Sequence, residues 1–189
     1  MNRLNRQRPT YRISLYSNTN EQPDAWGTDF GVSVAAKINR ALGGLSEGTL
    51  VAFDYGEIKR ADASFQREAI VEPMRRHRPR LLFVVEGVAD PDIRANLILA
   101  LQQRGEVVLI RGKAGRSEAI GTITRPRLDT LAAVAGADEV TSRWLVDRLK
   151  LTGPNATNRL NDLADAGLIE RVGGSATGGG RQYKYYPIR

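Results

Sequence analysis

The chain has 189 residues, 28 basic against 21 acidic side chains and a formal net charge of +7, with a sequence pI near 10.0. It has no cysteine and one histidine, His77, which excludes disulfides, thiolate metal sites and multi-histidine metal centres. No apolar run approaches the roughly 20 residues that span a bilayer, and the basic start "MNRLNRQRPTYRISLYSN" leads into no apolar stretch, so the sequence reads as cytoplasmic, without a secretory signal.

Residues 1–10 are polar and basic, with Arg3, Arg6 and Arg8, and are expected to fray. A first strand fits "YRISLYS". The segment "TDFGVSVAAKINRAL" places Phe30, Val34, Ile38 and Leu42 four residues apart, the spacing of an amphipathic helix, and "GG" at 43 and 44 stops it. "GTLVAFDYGEI" reads as a buried strand. "DASFQREAIVEPMRRHR" reads as a helix with Phe65, Ala69, Ile70 and Met74 on one face and Asp62 or Ser64 as its cap. "RLLFVVEGV" is the strongest strand signal. "DPDIRANLILALQQRG" is a helix with Pro91 and Asp92 at its start and Gly105 at its end. "EVVLIRG" is a further strand and "SEAIGTI" a last short element. Strands alternating with helices over residues 11–124 predict an α/β layer.

At "TRPRLDT" the pattern changes: Pro126 is read as breaking the chain just after the last apolar pair, and a domain boundary is placed near Arg125 with a second domain over 126–189. Three helices fit: Leu128 to Ala135, a second capped by Thr141 or Ser142 and carrying Trp144, Leu145 and Leu149, and a third that follows "LTGP". In the third, Ala156, Leu160, Leu163 and Ala164 form one face and Gly167 ends the helix. The tight "LKLTGPN" link has the length that a helix-turn-helix requires. Then come the strand "LIERV", a tip "GGSATGGGRQ" and the strand "YKYYPI", a hairpin. A phosphate loop would need a lysine and a serine or threonine after its glycines and then a helix, and the tip has neither.

The stretch "TSRWLVDRLKLTGPNATNRLNDLADAGLIERVGG…GRQYKYYPI" resembles the winged helix-turn-helix of bacterial transcription regulators over about 65 residues. The resemblance implies that the N-terminal half of the third helix enters the major groove of double-stranded DNA and that the wing touches the backbone. It assigns Thr152, Asn155, Thr157, Asn158 and Arg159 to the DNA-facing side. Asn suits adenine, Arg suits guanine, and Thr suits phosphate or a thymine methyl. Arg181 and Lys184 suit phosphate contacts from the wing. Charge agrees only in part, with 18 basic against 14 acidic side chains up to Thr124 and 10 against 7 beyond it. Asp162, Asp165 and Glu170 lie near the proposed face, and winged helices also serve as protein-docking modules.

The earlier stretch "GTLVAFDYGEIKRADASFQREAIVEPMRR…RLLFVVEGVADPDIRANLILALQQRGEVVLIRG" is similar to the STAS-like domains of bacteria over about 110 residues. In the related anti-sigma-factor antagonists, a serine at this helix start is phosphorylated and switches partner binding. The resemblance places Ser64 at that position, where a phosphate would meet the positive end of the helix dipole. The other reading of Ser64 is a cap or first-turn residue. Asp54, Asp62, Glu68 and Glu86 sit at strand and helix ends, but no nucleophile–base motif or metal spacing accompanies them, so no catalytic residue, metal or cofactor is expected.

The expectation is a two-domain, homodimeric DNA-binding transcriptional regulator, with the STAS-like domain for dimerisation, sensing or a regulatory protein partner. A partner-switching adaptor without specific DNA binding is the alternative.

Overall fold

The computed structural model describes residues 10–112, 117–175 and 181–188, with the backbone alone at Gly174, Ser175, Arg181 and Gln182. Almost all of the expected basic tail (residues 1–9), residues 113–116 of "RGKAGRS" and residues 176–180 of the glycine-rich tip lie outside the described residues. The chain divides into two compact units, Met1–Gly121 and Thr122–Arg189.

In the first unit five strands form one sheet: β1 (Thr10–Ser14), β3 (Leu50–Asp54), β5 (Leu82–Glu86), β6 (Val107–Arg111) and β7 (Ser117–Gly121), in that spatial order. The first four run parallel and β7 returns antiparallel to β6. Each new parallel strand is added on the same side of the last, and right-handed crossovers then put every connecting helix on one face. These connections are α2 (Thr28–Gly43), a long helical segment 63–77 and α5 (Pro91–Gln102), which contact one another. Their apolar stripes (Val34, Ile38 and Leu42; Phe65, Ile70 and Met74; Ile93, Leu97 and Leu101) close over Val51, Phe53, Phe83, Val85, Val108 and Ile110 as one core. On the other face Leu50, Ala52, Val84, Val107 and Leu109 are buried too. Burial on both faces explains why these strands read as continuous apolar runs instead of alternating ones.

Strand β1 ends at Ser14, earlier than "YRISLYS" suggests. The Ser14 hydroxyl accepts from Ser17 N at 3.2 Å and caps a short helix α1 (Leu15–Asn18), which turns Leu15 into the core. A two-stranded ribbon, β2 (Asp24–Ala25) beside β4 (Arg60–Ala61), precedes the helices. The segment 63–77 is also not one regular helix. It runs as α3 (Ala63–Gln66), a π-helical turn Arg67–Val71 and α4 (Glu72–His77). Pro73 has no N–H for the carbonyl of residue 69, and its ring would clash there. The ladder shifts just before it, with Glu72 N–H donating to Arg67 O five residues back. This extra step lets Ala69, Ile70 and Val71 all be buried. Where α2 crosses this segment, a Cβ on Gly31 would lie 2.9 Å from both Phe65 O and Glu68 Cβ, so only glycine permits the approach.

The second unit holds α6 (Arg125–Ala135), α7 (Ser142–Leu149), α8 (Gly153–Asp165) and the antiparallel hairpin β8 (Ile169–Ser175) and β9 (Arg181–Pro187). Helix α6 starts at Arg125, not Leu128. Pro126 lies in its first turn, where a missing N–H costs nothing, so it starts the helix instead of breaking the chain. Val140 bridges Tyr185 of β9, and Val134, Leu145, Ala156, Leu160, Leu163, Ile169 and Tyr185 are buried at the centre. This arrangement of three helices and a hairpin is a winged helix-turn-helix.

Candidate nucleic-acid interface

Local chemistry builds the helix-turn-helix. Thr141 Oγ1 accepts from Trp144 N at 3.2 Å and caps α7. At the other end Lys150 takes a left-handed conformation (φ 55°), and its N–H donates to Val146 O. The chain then turns sharply into α8. Thr152 holds the cap position of α8 without a side-chain cap bond, and Gly153 and Pro154 occupy the first turn. Leucine and alanine at 156, 160 and 163 fix which side of α8 faces inward, so Thr152, Asn155 and Asn158 are exposed and Thr157 and Arg159 are half-buried.

The first two turns of α8 carry no carboxylate. Two of the three acids near this face, Asp162 and Asp165, are paired within the unit. Arg127 Nη2 lies 2.9 Å from Asp162 Oδ2, and Arg171 Nη1 lies 3.5 Å from Asp165 Oδ1. Both pairs are partly exposed and contribute little stability. Their consequence is electrostatic, since each cancels a negative charge on α8. Arg159 Nε donates to Asn155 Oδ1 at 3.0 Å, joining two of the expected base-facing residues.

The hairpin is tied to α8 through Asn161. Its Oδ1 accepts from Tyr185 Oη at 2.8 Å and from Arg171 Nη1 at 3.2 Å. Burial pushes the Tyr185 phenol above its ordinary pKa. The Arg171 guanidinium also lies over the Tyr183 ring, 5.4 Å from its centroid.

Of the seven residues expected at DNA, five therefore lie together at the start of α8, three exposed and two half-buried. Lys184 is placed mid-hairpin with Nζ 2.9 Å from Glu139 Oε1, a carboxylate that also accepts from Tyr186 Oη at 2.7 Å. Arg181 opens β9, and its side chain lies outside those described. Sequence reasoning missed Asn161, Arg127 and Arg171, whose partners are distant in the chain. It also passed over Arg143, Arg148 and Lys150, which are exposed on and after α7 and make no ion pair among the described residues.

In the first unit the carboxylates are engaged in fold-building contacts. Asp62 caps α3 by accepting from Phe65 N at 2.7 Å and also receives Gly27 N at 3.1 Å. Asp54 accepts from Arg12 Nη1 and Gly56 N, each at 3.0 Å. Arg12 Nη2 lies 2.9 Å from Glu86, which is also paired with Arg111, and Glu68 pairs with Arg67 at 2.8 Å. His77 Nε2 is 3.1 Å from Asn39 Oδ1, and burial, with Arg80 and Arg76 nearby, pushes its pKa down. Ser64 is half-buried in the first turn of α3, whose cap is Asp62. Among the described residues no cluster of metal-ligating side chains occurs, and no helix is long and apolar enough to cross a membrane.

A shallow depression of about 300 Å³ is lined by Trp26, Lys59, Arg60, Asp92, Ile93 and Asn96, among others. The Trp26 side of it is exposed, with the Arg60 guanidinium 6.0 Å from the ring centroid. Its floor is well fixed. Gln66 Nε2 donates to Ala61 O and Ile93 O at 3.1 Å, Asn96 Nδ2 donates to Ala61 O at 3.0 Å, and Tyr55 Oη donates to Gln66 Oε1 at 2.7 Å.

Residues 122–182, about a third of the chain, match the MarR family. No curated protein and no solved structure matches the chain.

Proposed function

We propose that the protein is a DNA-binding transcriptional regulator whose C-terminal unit reads double-stranded DNA. The observation that carries this reading is the start of α8: a run of Thr152, Asn155, Thr157, Asn158 and Arg159, exposed or half-buried and without a carboxylate, on a helix that follows a tight helix-turn-helix link. The match of residues 122–182 to the MarR family supports it. Phosphate contacts come from Arg181 and Lys184 of the wing and from Arg143, Arg148 and Lys150 around α7. For Lys184 this requires exchanging Glu139 for a phosphate, a swap between two anions.

The N-terminal unit is a STAS-like module that provides dimerisation and sensing. The depression beside Trp26 supports a sensing role because an exposed indole, two cations, two carboxylates and an amide line it. Dimerisation suits the reading because one recognition helix covers too few base pairs for genomic specificity, and two symmetric half-sites about 34 Å apart solve this.

The test is fluorescence anisotropy of the full chain against the DNA upstream of its own gene and against a scrambled duplex, at low and near-physiological salt. Preference of about 100-fold that survives added salt supports the reading, since specific binding exceeds non-specific by roughly 10³ or more in established regulators. Equal binding of both duplexes that disappears with salt refutes it. A protein-docking winged helix would then take its place.

A further inference from the structure

We propose that Asn155 and Arg159 form one guanine-reading unit, in which Arg159 contacts the base and Asn155 is a positioning residue that holds the guanidinium. This rests on the reading of α8 as the base-facing helix. It departs from the simple expectation that each side chain reads its own base, asparagine an adenine and arginine a guanine.

The two side chains are one helical turn apart, and Arg159 Nε donates to Asn155 Oδ1 at 3.0 Å. A guanidinium nitrogen only donates, so the amide atom that faces it must be the oxygen, and chemistry fixes the orientation of the Asn155 amide. Reading adenine with two hydrogen bonds demands that same oxygen as acceptor for N6–H, beside the amide nitrogen as donor to N7. In the observed pair the oxygen is already committed to Arg159.

The bond leaves Arg159 better suited to its base. With Nε held, Nη1 and Nη2 remain as an end-on fork, which matches the O6 and N7 acceptors on the major-groove edge of guanine. A tethered guanidinium has also lost rotamer freedom before it meets DNA, so less is lost on binding. Asn155 Nδ2 keeps its own donors for a phosphate or a neighbouring acceptor. The arrangement is reinforced by what is missing: no carboxylate in the first two turns of α8 is available to accept from cytosine N4.

The experiment uses the full chain and a pool of random-sequence duplexes. Rounds of selection yield the preferred sequence, and each guanine and adenine in it is then replaced by its 7-deaza analogue, which lacks the N7 acceptor. The expected result is a preferred site with a guanine whose 7-deaza replacement weakens binding on the order of tenfold or more. Arg159→Ala abolishes that difference. Asn155→Ala shrinks the guanine to 7-deazaguanine ratio by a larger factor than it weakens binding to a scrambled duplex. Asn155→Asp, which still offers an acceptor to Nε, restores the ratio at lower overall affinity. Asn155 is exposed and Arg159 half-buried, with neither in the core, and circular dichroism confirms that the variants fold.

Two results overturn the inference and leave DNA reading intact: an adenine whose 7-deaza replacement matters and whose effect disappears in Asn155→Ala, or a guanine ratio that Asn155→Ala does not change. A pool with no enriched sequence overturns the inference together with the DNA-reading assignment on which it rests.

Discussion

Tyr55→Phe isolates a buried hydrogen bond whose loss should be large and pH-dependent in a calculable way. Tyr55 and Gln66 are both inaccessible to solvent, and the phenol donates to Gln66 Oε1 at 2.7 Å while Gln66 Nε2 donates to two carbonyls. Removing the hydroxyl leaves Oε1 buried without its donor, and the penalty for such an orphan is about 1–3 kcal/mol. We expect a loss near 2 kcal/mol at pH 8. Burial raises the Tyr55 pKa above its ordinary 10.0, so the folded state keeps a proton that the unfolded chain releases. The phenol's contribution is therefore fully present below pH 10 and declines as pH rises above it. The gap between wild type and Tyr55→Phe should narrow by up to about 1.4 kcal/mol per pH unit there. The assay is urea unfolding followed by Trp26 emission in a Trp144→Phe background, where Trp26 is the only tryptophan. A difference below about 0.5 kcal/mol at pH 8, or one that stays constant from pH 8 to 11, would refute the reasoning.

Gly31→Ala should destabilise the first unit by about 1–3 kcal/mol, the range for overpacking, because its new Cβ meets Phe65 O at 2.9 Å; urea midpoints measure it. Tyr185→Phe removes the 2.8 Å bond to Asn161 and should cost about 0.5–1.5 kcal/mol, at the low end because Arg171 still donates to the same oxygen; calorimetry of the second unit's transition reads it. Arg127→Ala costs less than about 1 kcal/mol of stability, since the pair is exposed, yet it leaves Asp162 uncompensated on α8 and should weaken binding to every duplex at low salt more than at high salt. Arg143→Ala should lower affinity for all sequences alike and reduce the slope of log affinity against log salt by about 0.9, in a salt titration followed by anisotropy.

What could be read from the sequence depended on whether the signal was local. Helix α2 was legible from residues 30, 34, 38 and 42, all on its inner or half-buried side, and α5 from its Asp-Pro start, where Asp90 is the cap and Asp92 lies in the first turn. The winged helix was legible because its markers (Thr141, the "TGP" turn and Gly167) act within a few residues of themselves. Pro126 and Pro73 misled in opposite ways. A proline read as a break starts α6, and a proline inside an apparently regular helix coincides with a π turn, because only the surrounding register decides which effect applies. At the interface the exposed residues of α8 follow from its apolar period, whereas the pairs Arg127–Asp162, Arg171–Asp165 and Lys184–Glu139 span turns and strands that no local pattern encodes.

Those pairs bear on why a unit with only three net positive charges is a plausible reader of a polyanion. Net charge counts every acid equally, but a phosphate feels charge within about one Debye length, near 8 Å at physiological salt. Asp162, Asp165 and Glu139 each sit against a cation of the same unit, and Asp129 pairs with Arg125 at 3.0 Å. Arg159 is tied to a neutral amide, so its full charge remains at the start of α8, and Arg143, Arg148 and Lys150 make no ion pair among the described residues, with Asp147 between the two arginines on α7. On the proposed reading one protomer offers five cations to phosphates, Arg143, Arg148, Lys150, Arg181 and Lys184. The corresponding salt slope is about −4.5 for a single copy and about −9 for a symmetric pair, at about −0.9 per phosphate neutralised. A slope close to the larger value on a two-half-site duplex, falling to the smaller on one half-site, would show that specificity comes from pairing two modest interfaces and not from one strongly basic surface.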